Sequence, residues 1–267
     1  MSAHIDLRGS RALVTGATGG LGQAIARRLA KEGVQLVLSG RRLDVLEPLA
    51  KELGATAIAA ELEDLADVDR LMNEAGPIDL LVANAALSSS GNLLEYTPEQ
   101  IARAVTVNLH APIAMTRTAA LAMVERGRGH IVMIGSVSGK IASTDSSLYN
   151  ATKFGLRGFA LGLRQDLGPQ GVGVSIVEPS FVSEAGMFAD SKAKLPPGVR
   201  LVSPDAVADG VVKAIHRDRA EVVVAPIEMR AGAALSASLP DFAATVQRIS
   251  GGAKVSADLA DGQRHSR

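Results

Sequence analysis

The chain has 267 residues, 47% of them hydrophobic, with 28 lysines plus arginines against 28 aspartates plus glutamates and no cysteine. That length suits one large α/β domain with a sizeable core, and the charge balance argues against a nucleic-acid or anionic-membrane partner. Disulfides and thiolate metal sites are excluded, and His4, His110, His130, His216 and His265 show no ligand spacing, so no metal and no zinc-dependent chemistry is expected.

The opening MSAHIDLRGSR carries no apolar leader core, and no apolar run reaches the length of a membrane span, so a soluble, cytoplasmic protein is expected. Ala12 to Thr15 predicts a first strand. Gly16-Ala17-Thr18-Gly19-Gly20-Leu21-Gly22 follows, and then a helical pattern that stops at Gly33. Strand, glycine turn and helix make a phosphate-binding element, because glycines let the backbone approach a pyrophosphate and the helix start offers N–H donors. A glycine turn with no ligand is the alternative. Val34 to Leu38 predicts a second strand, running into Ser39-Gly40-Arg41-Arg42. An acid at this strand end would hold a ribose 2′-hydroxyl, whereas Gly40 followed by Arg41 and Arg42 favours a 2′-phosphate, hence NADP(H) over NAD(H). The arginines could equally open the next helix.

Ala55 to Ala60 and Ile78 to Val82 predict the third and fourth strands, ending in Glu61-Leu62 and Asn84-Ala85-Ala86. Strands alternating with helices imply a doubly wound parallel sheet, which binds ligands at its carboxyl edge. Pro98 to Arg126 reads as one long helix opened by a Thr97 cap. Pro112 within it cannot bond the Asn108 carbonyl, so the helix should kink there, leaving a carbonyl able to hold a water or an Asn facing solvent. Ile131 to Ile134 is a fifth strand ending near Ser136, and the next helix carries Tyr149 and Lys153 one turn apart on one face. An ammonium beside a phenol should lower the phenol pKa toward the working range, making Tyr149 a general acid or base, with Ser136 able to bond the same reacting oxygen. Such a pair alone is most often ordinary helix surface. Val172 to Val177 and Glu221 to Ala225 predict the sixth and seventh strands, and Ser203-Pro204 caps the helix between them.

These residues resemble the classical group of the short-chain dehydrogenase/reductase family over roughly residues 5 to 230. The resemblance rests on Thr15-Gly16-x-x-x-Gly20-x-Gly22, Asn84-Ala85, Asn108, Ser136, Tyr149-x-x-x-Lys153 and Glu178-Pro179. It implies a Rossmann-type fold of about seven parallel strands, and hydride transfer between a nicotinamide and a ketone or secondary alcohol. Tyr149 would act as general acid in reduction, with Lys153 lowering its pKa and binding the nicotinamide ribose. Ser136 would polarise the carbonyl and Asn108 would hold a relay water. The dinucleotide contacts implied are Gly16, Thr18, Gly19, Gly20, Leu21, Gly22, Arg41, Arg42, Glu61, Leu62, Asn84, Ala85, Ala86, Tyr149, Lys153, Pro179 and Val182. Four positions depart from the family pattern: Glu61 for Asp, Ala86 and Ser180 for Gly, and Glu184 for Thr.

Residues 1 to 250 are expected to form one domain, with 181 to 200 as a substrate lid and 251 to 267 as a loose tail. Met187 and Phe188 in the lid hint at an apolar substrate, or pack internally. Ala151, Gly155, Gly158 and Gly162 share the helix face opposite Tyr149, so close packing by another long helix is expected, most simply in a homodimer or homotetramer. The resemblance implies the same tetramer. A non-catalytic dinucleotide-sensing regulator on this fold is the competing reading; it has no need of Tyr149, Lys153, Ser136 and Asn108 together.

Overall fold

In a computed structural model, described over residues 5–183, 200–238 and 261–262, seven strands form one parallel sheet. They are β1 (Arg11–Val14), β2 (Gln35–Gly40), β3 (Thr56–Ala59), β4 (Leu80–Ala83), β5 (Gly129–Ile134), β6 (Val172–Pro179) and β7 (Glu221–Val224), in the order 3-2-1-4-5-6-7. The chain winds one way through β1, β2 and β3 and the other way from β4 onward. The switch point, where such sheets take ligands, therefore lies between β1 and β4.

Successive strand residues face opposite sides of the sheet, and both sides are apolar. Ala12, Val14, Leu36, Leu38 and Val132 meet Ile25 and Leu29 of α1 (Gly20–Lys31), Leu46 of α2 (Leu43–Leu53) and Val211 of a helix over Pro204–His216. Leu13, Val37, Leu81 and Ile131 point the other way, toward Leu71 of α3 (Leu65–Ala75) and helices from the second half. Burying each large aliphatic side chain contributes about 1.5–3 kcal/mol.

The predicted helix after Thr97 is three pieces. Thr97 and Gln100 form a reciprocal cap on α4 (Pro98–Val105), a π-helical turn spans Thr106–His110, and α5 covers Ala111–Glu125. Pro112 has no N–H to give, and the chain accommodates it by widening: the Ala111 N–H reaches back five residues to the Thr106 carbonyl. The kink expected from Pro112 thus takes the form of a π turn. Next come α6 (Ser147–Leu167), α7 (Pro204–His216) and α8 (Ile227–Ser238). Ser203 caps α7 through its hydroxyl, as its sequence predicts. No helix among the described residues is long and apolar enough to cross a membrane.

Candidate active site

The site begins with one hydroxyl. Thr15, the residue after β1, is buried, and its Oγ1 accepts the N–H groups of Asn84 (3.1 Å) and Ala85 (3.2 Å) beyond β4. Asn84 returns two bonds, from Nδ2 to the carbonyls of Thr15 (2.9 Å) and Gly16 (3.3 Å). The glycine turn is thereby stitched to the end of β4. Gly16 sits at φ +65°, and a Cβ there would lie 2.8 Å from the Ala85 Cα. At Gly22 a Cβ would overlap the Gly16 carbonyl oxygen, so neither position admits another residue without moving backbone.

Gly19 stands at the N-cap of α1 and offers no side chain, and the first turn, Gly20-Leu21-Gly22, holds no acid. The helix start thus keeps uncapped N–H donors and an unneutralised positive dipole end, a donor set that fits the phosphates of a dinucleotide. Leu21 packs against the core beneath. Gly40, at the end of β2, lies against Thr18, where a Cβ would come within 2.7 Å of Thr18 Cγ2. The sequence reading missed this reason for glycine: any side chain at 40 would push Thr18 off the turn. Arg42 donates from Nη2 to the Thr18 carbonyl (2.7 Å), whereas Arg41 faces Glu61 at 4.0 Å, both half-exposed. Leu62 is buried in the core, and Ala86 lies partly buried beside Ala85.

Ser136, two residues past the end of β5, caps a single 3-10 turn (Val137–Gly139) by accepting the Ser138 N–H at 3.1 Å. Lys153 is buried on α6, donates to the Ile134 carbonyl at 3.0 Å and lies 5.7 Å from the centre of the Tyr149 ring. Ser136, Tyr149 and Lys153 therefore gather at the end of β5, two strands from the glycine turn. The expected lowering of the Tyr149 pKa is corrected by the structure. Burial pushes the phenol up to about 12, opposed by a hydrogen bond with Ser136. The ammonium does not reverse this, because Lys153 stands over the ring with its proton on the Ile134 carbonyl. Desolvation draws Lys153 itself down to about 8.

Asn108, in the π turn, is buried rather than facing solvent. Its Oδ1 accepts the Leu87 N–H (2.6 Å), and its Nδ2 donates to the Leu87 carbonyl (2.9 Å) and to Ser89 Oγ (3.4 Å). It anchors the loop that follows β4. Asn150, not singled out from the sequence, does the same for the Ser136 loop. Its Nδ2 donates to the carbonyls of Ser138 (2.7 Å) and Ile141 (2.9 Å), and its Oδ1 accepts the Ser143 N–H (3.2 Å). The sequence signal was only its place next to Tyr149. Pro179 ends β6, and Val182 bridges to Val202. The Ser180 hydroxyl is buried without a partner among the described residues, while its N–H bonds the Val224 carbonyl. Glu184, Met187, Phe188 and Pro196-Pro197-Gly198 lie outside the described residues, as does the expected tail except 261–262.

Residues 10–196, which include the glycine turn and all four candidate catalytic residues, match the family model described as short chain dehydrogenase. The chain belongs to the short-chain dehydrogenase/reductase family. It is 37% identical over 227 residues to the ketoacyl reductase HetN of Nostoc sp., covering 82% of this chain and 79% of that protein. Among solved structures it is similar to a short-chain dehydrogenase from Sphingobium yanoikuyae in complex with NADPH (TM-score 0.74, 30% identity, 80% of this chain and 87% of that one). It is also similar to a 3-ketoacyl-(acyl-carrier-protein) reductase from Brucella melitensis complexed with NADH (TM-score 0.73, 29% identity, 82% and 98%). Short-chain dehydrogenases that resemble this one thus hold either dinucleotide.

Proposed function

We propose that this chain is an NADP(H)-preferring oxidoreductase that moves hydride between a nicotinamide and a ketone or secondary alcohol, with Tyr149 as general acid or base. The observation that carries the reading is the gathering of Ser136, Tyr149 and Lys153 at the end of β5, on the same sheet edge as the uncapped glycine turn. When bound, the dinucleotide supplies the hydride donor or acceptor. The glycine turn would hold its phosphates, with Asn84 to Ala86, Pro179 and Val182 flanking it.

The rest belongs to the chain. The Tyr149 phenol is neutral through the neutral pH range, so it stands ready to give its proton to a carbonyl oxygen being reduced. Ser136, already within hydrogen-bond reach of Tyr149, would bond the same oxygen. Lys153 would carry positive charge to the site, and Asn108, fixed by Leu87, would hold a relay water. The names of HetN and the Brucella protein favour a 3-ketoacyl thioester over a small alcohol or steroid as substrate.

Preference for NADP(H) is supported by Gly40, which leaves no carboxylate to repel a 2′-phosphate, and by Arg41 and Arg42 beside it. Fluorescence titration should show NADPH binding at least about tenfold tighter than NADH. Arg41→Ala should remove most of that difference while leaving NADH affinity near its starting value. Tighter NADH binding by the unaltered protein would overturn the preference but not the chemistry.

A homodimer or homotetramer is proposed on α6. Among the described residues, a Cβ at Gly155 would meet Leu109, but one at Gly158 or Gly162 would find nothing within 4 Å. Phe154 on the same helix and Leu121 on α5 are exposed. Gly158→Leu should shift the sedimenting species to a smaller one; an unchanged profile would rule this face out.

A further inference from the structure

Four charged side chains from four separate segments meet behind the Ser136 turn. Lys140 closes that turn, Arg157 stands one helical turn beyond Lys153 on α6, Glu178 lies near the end of β6, and Glu221 starts β7. Lys140 Nζ is 2.5 Å from Glu221 Oε2 and 3.2 Å from Glu178 Oε2. Arg157 Nε is 2.7 Å from Glu221 Oε1 and 3.5 Å from Glu178 Oε1. The sharing is uneven. Glu221 accepts an aligned hydrogen bond from each cation, whereas the fully buried Glu178 has the same cations at 3.2 and 3.5 Å but, among the described residues, no aligned bond to either oxygen.

A buried carboxylate in that position is poorly compensated, and a proton on Glu178, donated to Glu221, relieves it. Burial first, and then repulsion by Glu221, push the Glu178 carboxyl up to about 7 against the pull of Lys140. Glu221 feels desolvation too, but hydrogen bonds from Lys140 and Arg157 hold it below the usual carboxylate range. Among the described residues Ser236 of α8 also faces the cluster, its hydroxyl donating to the Lys140 carbonyl at 3.3 Å, while the Lys153 ammonium is turned to the Ile134 carbonyl.

The cluster touches the catalytic elements without slack. A Cβ on Gly139 would lie 2.8 Å from the Lys153 carbonyl oxygen and 3.6 Å from Glu178 Oε1, and one on Gly135 would lie 3.3 Å from Glu178 Cγ. Backbone that close leaves the Ser136 turn no independent freedom from α6.

We propose that Glu178 is a positioning residue: sharing a proton with Glu221, it sets how Lys140 and Arg157 are held, and so fixes the Ser136 turn against the helix that carries Tyr149. Its ionisation divides the two cations anew between the carboxylates and shifts that turn. Glu178 touches no reacting atom and acts through Lys140 and Arg157. The proposal rests on the reductase reading above.

Infrared difference spectra of the intact protein between about pH 5 and 9 test it. The expected result is a protonated-carboxyl band that disappears with a midpoint near neutrality and is missing in Glu178→Gln. Glu221→Gln removes the like charge, and its single oxygen accepts from only one of Lys140 and Arg157, so the midpoint should fall by about one pH unit or more. In turnover assays kcat should inflect at the same midpoint in the unaltered enzyme, and Glu178→Gln should lack that inflection. Glu178→Leu, which removes the shared proton, should lower kcat about 10- to 100-fold with little change in substrate KM. A band that persists in Glu178→Gln, a midpoint unmoved by Glu221→Gln, or coincident pH profiles of kcat would each overturn the proposal. An unaltered protein that turns over no carbonyl or alcohol would instead sink the reductase reading, and the infrared arms would still decide where the cluster's proton resides.

Discussion

Tyr149→Phe is expected to lower turnover by about 10²- to 10⁴-fold, the usual share of a positioned general acid, while dinucleotide binding persists. The substitution keeps the ring that Lys153 overlies and removes only the hydroxyl that Ser136 engages. Direction of reaction adds a sign. Reduction uses the neutral phenol, the form that dominates below about 12, whereas oxidation needs the phenolate. Alcohol oxidation by the unaltered enzyme should therefore climb with pH across the alkaline range, and Phe at 149 should abolish that climb. Single-turnover assays in both directions, with binding followed in parallel by fluorescence, would check this. Undiminished turnover in the Phe variant would remove Tyr149 from the chemistry, whereas no turnover by the unaltered protein, with a dinucleotide response that the Phe variant keeps, would return the chain to the sensor reading.

Acid should remove about 3 kcal/mol of stability through a single imidazole at the far end of β5. His130 is fully buried and its Nε2 lies 2.8 Å from Ser175 Oγ. Because Ser175 donates to the Arg219 carbonyl at 2.6 Å, Nε2 must carry the proton, which leaves Nδ1 as a buried acceptor without a partner among the described residues. Desolvation pulls the His130 pKa down to about 4, with Arg164 assisting and Asp218 opposing. The folded protein thus binds this proton less readily than the unfolded chain. The contribution is complete above about 6.5 and is lost as the pH falls toward 4. Glu178 acts with the opposite sign: a raised carboxyl adds stability below about 4.5 that fades as the pH rises to about 7. The two offset each other in the intact protein. Urea unfolding of the intact protein and of His130→Gln at about pH 7.5 and 4.5 separates them, since Glu178 is common to both. The variant should be less stable at the higher pH but lose about 3 kcal/mol less on acidification. Equal losses would mean that His130 is not held neutral by the fold.

Punctuation made most of the architecture legible. The glycine turn after β1, the Thr97 cap with Gln100, and Ser203-Pro204 each carry their own local physics, and each lies where its sequence predicts. The strands are apolar on both faces, so the runs themselves announced a covered parallel sheet. What failed was whatever depends on distant neighbours. Pro112 signalled a disturbance, but that it takes the form of a π turn, with Asn108 bonded to Leu87 across 21 positions, could not be read from the local sequence. The Tyr149 pKa was read from Lys153 alone, yet burial decides it, and burial is a property of the whole cleft. Gly40 looked like a missing acid and proved also to be room for Thr18. Glu178 was legible only as part of a motif with Pro179, and its charge cluster gave no sign, because its partners stand at 140, 157 and 221.

The stitch of Thr15 to Asn84 and Ala85 also bears on how such a chain can be altered by descent. Every residue expected to discriminate between dinucleotides lies before this seam, and every residue expected to handle protons lies after it. A single recombination crossover near Ala85 would therefore exchange redox currency and leave proton chemistry untouched. Among the described residues five ion pairs cross that point and tax such a chimera: Arg28 with Asp209 and His216 with Glu32, which join α1 or its end to α7, Arg103 with Glu63, and both Arg126 and Arg128 with Asp79. A donor segment that matches at positions 28, 32, 63 and 79 would graft most cleanly.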